Sequence, residues 1–379
     1  MRDKFKIIRG VTVSQSVQFF TGLIPELKDM GFKVVVVSSD GPELESVKEV
    51  GGKVVCVQMQ RHISPLKDIK SLLQMIKVFR KEKPQMVHSM TPKAGLLCMI
   101  AGKLTGVPIR LHTFTGLVFP TSTGVKRRIL MATDWLTCAC ATHINPEGEG
   151  VMRDLLSNGI TKKPIKVLGY GNCRGIDLSR FDLIPEIKTS ANQIRRTDKF
   201  TFIAIGRVVR DKGINELIKA FVRLNEEYPE TRLILVGSYE PDLDPIDSFT
   251  VKQINTNQAI EYVGQQKDVR PWFAASDCAV LASYREGFPN VVIEAGAMGL
   301  PQIVTDINGA NEIIIEGKNG TIVPPRDSEA LYTAMKRMVT DKEWRESLII
   351  NARPMIANRY EQSFVRKCLL DFYQEIING

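Results

Sequence analysis

The chain has 379 residues, 44% hydrophobic and 25% charged, which suits a soluble globular protein with two domains that each bury a core. Its seven cysteines (56, 98, 138, 140, 173, 278 and 368) are odd in number and scattered, which excludes the disulfide framework of a short secreted domain. Neither they nor the four histidines show zinc-site spacing, so no metal site is expected. The net charge of +9 is uneven: residues 1–180 hold 27 Lys/Arg against 14 Asp/Glu, a surplus of +13, and the remainder stands at −4.

In chain order, Phe5–Ile8 reads as a first strand, and the start M-R-D-K-F-K-I-I-R-G has too short an apolar run for a signal peptide. A helix is predicted over Gln15–Met30, a strand at Lys33–Val37, a helix near Glu43–Val50 and a strand at Lys53–Val57. Pro65–Lys81 is a long helix with Leu66, Ile69, Leu72, Leu73, Ile76 and Phe79 at helical spacing. Gln85–His88 and Arg110–Thr113 read as buried strands. The apolar stretch around Gly95–Ala101, cut by Lys103, falls short of the ~20 residues a membrane helix needs, and the cytoplasm is the default location. The polar segment 182–199 interrupts the rhythm and reads as a linker. Beyond it, strands are predicted at Phe202–Ile205, Arg232–Val236, Ile260–Val263, Ala279–Leu281, Gln302–Thr305 and Thr321–Val323. Strands separated by helices imply parallel α/β layers. No G-x-G-x-x-G follows the first strand, which argues against a dinucleotide-dependent dehydrogenase.

The chemistry concentrates in S-Y-R-E-G-F-P-N-V-V-I-E-A, an E-x7-E pair with Glu286 in a Gly287-Phe288-Pro289 turn and Glu294 in the helix that Asn290 opens. A helix start offers unpaired N–H groups and positive dipole charge to an anion such as a diphosphate. The flanking carboxylates could then accept hydrogen bonds from a sugar (Glu286) and a ribose (Glu294). Alone, a loop carboxylate plus a surface helix Glu would explain this spacing better. Upstream, T-F-I-A-I-G-R-V-V-R-D-K-G puts Arg207 and Lys212 between a strand and an amphipathic helix, the layout of an anion site in an α/β sheet. Arg as a planar fork and Lys as a point charge could neutralise two phosphates. Gly237 and Gly264 end two further strands and are expected to line a base pocket. Asp242-Leu243-Asp244 has the form of a metal-binding D-x-D but lies in a Pro-rich loop and is read as a coincidence.

With P-Q-I-V-T-D-I-N-G-A-N-E-I-I and N-G-T-I-V-P-P-R-D, these motifs make most of the C-terminal half resemble the retaining GT-B glycosyltransferases of the group 1 or GT4 type, in particular bacterial surface-polysaccharide transferases. The resemblance implies two doubly wound Rossmann-like α/β domains facing a central cleft. An acceptor-binding domain (1–181), the linker, a nucleotide-sugar-binding domain (200–357) and a last helix (358–379) packing back on the first domain are expected. It also implies transfer of a sugar, commonly from a UDP-sugar, to a polyprenyl-diphosphate-linked saccharide in capsule, exopolysaccharide or O-antigen synthesis. It further implies that neither metal nor cofactor takes part and that Arg207 and Lys212 would replace the cation.

On this reading Glu286, Arg207, Lys212 and His112 are catalytic, and Glu294, Gly287, Phe288, Pro289, Asn290, Gly237, Gly264 and Gly10 contact the donor. His112 ends the strand in R-L-H-T-F-T-G, where related enzymes carry a cleft-facing histidine; His88 ends the preceding strand. Gly10 stands where the family often has a glycine pair and this chain has one. Arg61, in an R-x-x-x-P turn, and Lys93 are the expected acceptor contacts. No nucleic-acid module accompanies the positive charge, so the basic first half, with Lys67, Lys70 and Lys126-Arg127-Arg128, suits the anionic inner face of the cytoplasmic membrane, although solvated basic faces explain it almost as well. No side chain stands out as a covalent nucleophile, and a front-face displacement is expected. Two other readings stay open: a GT-B nucleotide-sugar 2-epimerase, and a non-catalytic sugar-nucleotide-binding scaffold.

Overall fold

The computed structural model describes residues 5–60, 64–242 and 244–379. They build two six-stranded parallel sheets. The first contains β1 (Lys6–Gly10), β2 (Lys33–Ser38), β3 (Lys53–Cys56), β4 (Met86–Ser89), β5 (Ile109–Phe114) and β6 (His143–Pro146), in the order β3-β2-β1-β4-β5-β6. The second contains β7 (Phe200–Ile205), β8 (Thr231–Val236), β9 (Ile260–Tyr262), β10 (Cys278–Leu281), β11 (Gln302–Thr305) and β12 (Gly320–Val323), in the order β12-β11-β10-β7-β8-β9. Both follow the doubly wound plan. The order reverses between β1 and β4 and between β7 and β10, where connections leave for opposite faces and a crevice opens at the carboxyl edge. Runs such as Val34–Val37 and Leu233–Val236 are buried at every position, as helices on both faces of a parallel sheet require.

Two compact units result: the described residues through Arg174 together with Val365–Gly379, and Gly175–Phe364. The segment read as a linker, 182–199, lies inside the second unit. Its helix Pro185–Ile194 buries Ile187 and Ala191 and packs on the helix Arg270–Ala274, so its polar composition is that of a one-sided helix. The chain changes unit at Arg174–Gly175 and returns within the last helix, Gln362–Asn378. A single helix over Gln15–Met30 does not form. Two 3-10 turns, Ser14–Phe19 and Thr21–Leu23, precede a short helix Ile24–Asp29, because Phe20 leaves the helical region (φ −143°) and Pro25 has no N–H to donate back. The edge strand β6 carries Pro146 and gave no strand signal in the sequence, since proline is confined to such edges. No helix among the described residues is long and apolar enough to cross a membrane.

The last helix completes the core of the first unit with Leu369, Phe372 and Tyr373. There Arg9 is 1% exposed and has no carboxylate partner among the described residues. Its guanidinium donates to Tyr373 Oη, to His88 Nδ1 (2.8 Å) and to Met90 Sδ (3.1 Å), and lies over the Phe20 ring at 4.5 Å. His88 Nε2 lies 2.7 Å from Thr113 Oγ1, which donates to Asn145 Oδ1 at 3.1 Å. That order of donors fits a neutral His88 protonated at Nε2, and burial and then Arg9 hold its pKa well below the usual imidazole range. Burial likewise lowers His112 to about 3.

Two histidines that are neutral in the fold take up protons on unfolding at pH values below ~6.5. Stability should therefore fall as pH drops through that value, by up to ~1.4 kcal/mol per pH unit for each ring. Urea unfolding at about pH 7 and about pH 5.5 checks this; equal stability at both would mean that the rings are protonated in the fold.

Candidate functional site

The crevice at the β7/β10 reversal is a cavity of about 330 Å³ whose lining includes Gly206, Arg207, Lys212, Ser283, Glu286 and Asn290. Close backbone contacts shape it. After β7 the chain makes a 3-10 turn, Arg210–Lys212, ending at Gly213 (φ +67°), where a Cβ would lie 2.0 Å from the Ala282 carbonyl oxygen. Only glycine permits that approach, and it brings Lys212 beside the loop that follows β10. Gly237 (φ +144°) meets the Gly206 carbonyl in the same way, at 1.9 Å for a Cβ.

Each cation among the described residues of the cavity is paired. Lys212 Nζ donates to Glu286 Oε1, which also accepts from Ser283 Oγ at 2.9 Å. Arg207 Nη1 lies 3.3 Å from Glu240 Oε2, and Nη2 lies 4.0 Å from Asp211 Oδ1. Ser238 Oγ, 2.8 Å from Glu240 Oε1, orients that carboxylate. Asp211 also binds Arg285 at 3.2 Å. Asp244 accepts from the Asp211 amide (2.7 Å) and pairs with Arg210 (3.0 Å), so the second acid of the D-x-D anchors the Arg207–Lys212 loop. Among the described residues no group of three His, Cys, Asp or Glu is arranged to hold a metal ion.

The rest of the E-x7-E segment divides by position. Asn290 begins the helix Asn290–Ala297 at the cavity wall, preceded by Pro289. Phe288 is buried against the Tyr360 ring (centroids 5.6 Å apart) and anchors the turn. Gly309 locks it from the other side, since a Cβ there would lie 2.5 Å from the Gly287 carbonyl oxygen. Glu294 is half-buried on the same helix, outside the cavity lining. Gly237 and Gly264 are joined by a backbone hydrogen bond (2.9 Å) at the ends of β8 and β9, also outside that lining, and the space beside Gly264 is open.

In the first unit the placement differs from expectation. The His112 ring is 1% exposed, packed under Gly95 and edge-on to Phe114, with Nδ1 taken by Ser89 Oγ at 2.9 Å. It is enclosed in the core of the first unit, where helices pack beside β5. Gly10 is explained by packing, since a Cβ would lie 2.6 Å from Cys98 Sγ. The helix start nearby is occupied by Thr12 Oγ1, which accepts from the Ala94 amide at 3.1 Å. Lys93 is tied to both oxygens of Asp68 at 2.6 Å, joining two helices. Arg61 lies outside the described residues. Sequence reasoning missed Glu240, which carries no motif, and gave no role to Ser283, the first residue of the E-x7-E segment. It also missed a small pocket where Asn145, Glu147, Asn172 and Cys173 meet His88; the positive φ of Asn172 (+62°) leaves no sequence signal.

Residues 186–355 match the family model for glycosyl transferases group 1, and residues 16–171 match that for a glycosyl transferase 4-like domain. The capsular polysaccharide biosynthesis glycosyltransferase CapM of Staphylococcus aureus is 32% identical over 98% of this chain and 97% of its own. The UDP-Gal:alpha-D-GlcNAc-diphosphoundecaprenol alpha-1,3-galactosyltransferase of Escherichia coli is 28% identical over 79% of this chain and 78% of its own. Among solved structures, Anabaena HepE in complex with UDP-glucose superposes with a TM-score of 0.80 at 17% identity, covering 98% of this chain and 99% of that one. The fold is GT-B, and the chain belongs to the group 1, GT4-like glycosyltransferases.

Proposed function

We propose that this glycosyltransferase moves a sugar from a UDP-sugar to a polyprenyl-diphosphate-linked saccharide, with retention and without a metal, during surface-polysaccharide synthesis. The observation that carries the reading is the convergence of Arg207, Lys212, Glu286 and the helix start at Asn290 on one cavity at the strand-order reversal. The names of the E. coli and S. aureus relatives support the lipid-diphosphate acceptor and the polysaccharide product, and those of the E. coli relative and Anabaena HepE support uridine.

In this mechanism the donor diphosphate takes over Arg207 and Lys212 and rests on the helix start. Glu286, released from Lys212, accepts hydrogen bonds from the sugar hydroxyls. Charge that develops on the leaving phosphate meets fixed cations and amides already in place, usually the largest catalytic contribution. That phosphate oxygen accepts the proton of the incoming hydroxyl as the new glycosidic bond forms on the same face. Glu294 binds the ribose, with Gly237 and Gly264 beside the base.

The first unit would face an anionic membrane. On the helix Pro65–Glu82, Ser71, Met75 and Phe79 are buried, whereas Leu66 (84% exposed), Ile69 and Leu73 point outward among Lys67, Lys70 and Lys77. The helix Gly124–Cys140 exposes Val125, Ile129 and Trp135 beside Lys126 and Arg128, and both helices pack on Pro92–Leu104. Apolar residues interleaved with exposed cations suit a lipid interface, with about 1 kcal/mol from each basic residue.

Three outcomes are expected. UDP at a hundredfold excess over its dissociation constant should stabilise the protein by ~2.7 kcal/mol, visible as a raised melting temperature, whereas GDP and ADP should act weakly. No response to any of them would remove the donor site. Glu286→Gln should lower kcat for sugar transfer at least ~100-fold while UDP binding is retained. Replacing Leu66, Ile69 and Leu73 by Ser should reduce co-sedimentation with phosphatidylglycerol vesicles; equal binding by the variant would rule out this face.

A further inference from the structure

We propose that Glu240 competes with the diphosphate for Arg207 and thereby weakens the nucleoside-diphosphate product more than the sugar-bearing donor. The inference rests on reading the cavity as the nucleotide-sugar site. Of the two cations there, Lys212 is held by Glu286, a carboxylate with a further use once a sugar is bound. Arg207 is held by Glu240, which lies on the loop after β8. A carboxylate beside a phosphate site is electrostatically adverse, and here it is built in.

Backbone hydrogen bonds pin the two segments on either side of the pair. Val208 N donates to Ser238 O at 2.8 Å and Arg210 N to Asp244 O at 3.1 Å. Ser238 Oγ orients the carboxylate from its own loop. Glu240 can therefore turn away from Arg207 but stays within a few ångströms of whatever replaces it. Its side chain is 30% exposed and that of Arg207 42%, so the pair is screened enough to exchange and close enough to matter. The repulsion scales with the charge of the incoming phosphate. The terminal phosphate of a nucleoside diphosphate carries one more negative charge than the same phosphate esterified to a sugar. Glu240 therefore acts against the product more than the donor, which favours departure after transfer. It is a specificity-determining residue that touches Arg207 and, through it, the diphosphate.

Titration calorimetry of the full chain with UDP, UDP-glucose and uridine, on the wild type and Glu240→Gln, tests this. The variant should bind UDP at least ~3-fold more tightly, the size of a half-exposed ion pair. UDP-glucose should gain less and uridine nothing, and the gain should shrink at high ionic strength. Unchanged or weaker UDP binding, or the same change for all three ligands, overturns the proposal, since a role in shaping the loop would act alike on charged and uncharged probes. A wild type that binds none of UDP, GDP and ADP instead removes the underlying reading of the cavity, and the proposal with it.

Discussion

The carboxyl edge of the second sheet depends on backbone contacts that no side chain could share. Gly213 presses on the Ala282 carbonyl, Gly237 on that of Gly206 and Gly309 on that of Gly287. Each glycine removes a Cβ at a positive φ, where L side chains are strained, and each joins the end of one strand to the loop of another. Together they draw the loop bearing Arg207 and Lys212 toward the loop bearing Glu286. The charges could be rearranged by rotamer changes, but the distance between the loops is set by main chain and would not recover from a methyl group at any of these positions.

The two units treat buried charge differently. In the second, cations sit at a crevice and are balanced by part-exposed carboxylates, so they can change partners at modest cost. In the first, Arg9 is enclosed and balanced by no carboxylate among the described residues; an imidazole, a phenol, a thioether and an aromatic face surround it. Such a cation is held in place by geometry, because any loosening would leave its donors without acceptors in a dry environment. One arrangement suits exchange and the other rigidity, within a chain whose sheets share the same strand order.

Much of this was legible in the sequence because the physics is local. Apolar strand runs, helix starts and the Arg207–Lys212 and Glu286–Asn290 segments are short stretches whose spacing alone places them at strand ends. What was not legible depended on contacts between distant residues. His112 reads as a site residue from its neighbours, but Gly95 and Ser89 enclose it. Gly10 reads as a phosphate turn until Cys98 is found against it. Glu240 has no motif and gains meaning only from its position beside Arg207, 33 residues away in sequence. The segment 182–199 looked like a linker because composition shows the exposed side of a helix and not the single buried stripe.

The return of the last helix also bears on how the protein is made. The second unit is one uninterrupted stretch of chain, Gly175–Phe364, whereas the first waits for Val365–Gly379 to supply Leu369, Phe372 and Tyr373. During synthesis the first unit therefore cannot mature ahead of the second, as the usual N-to-C order would have it. Until Tyr373 is made, Arg9 and His88 lack the hydroxyl that pairs with them in the finished fold. The core of the first unit therefore stays incomplete until Val365–Gly379 has been made, although most of that unit is encoded first.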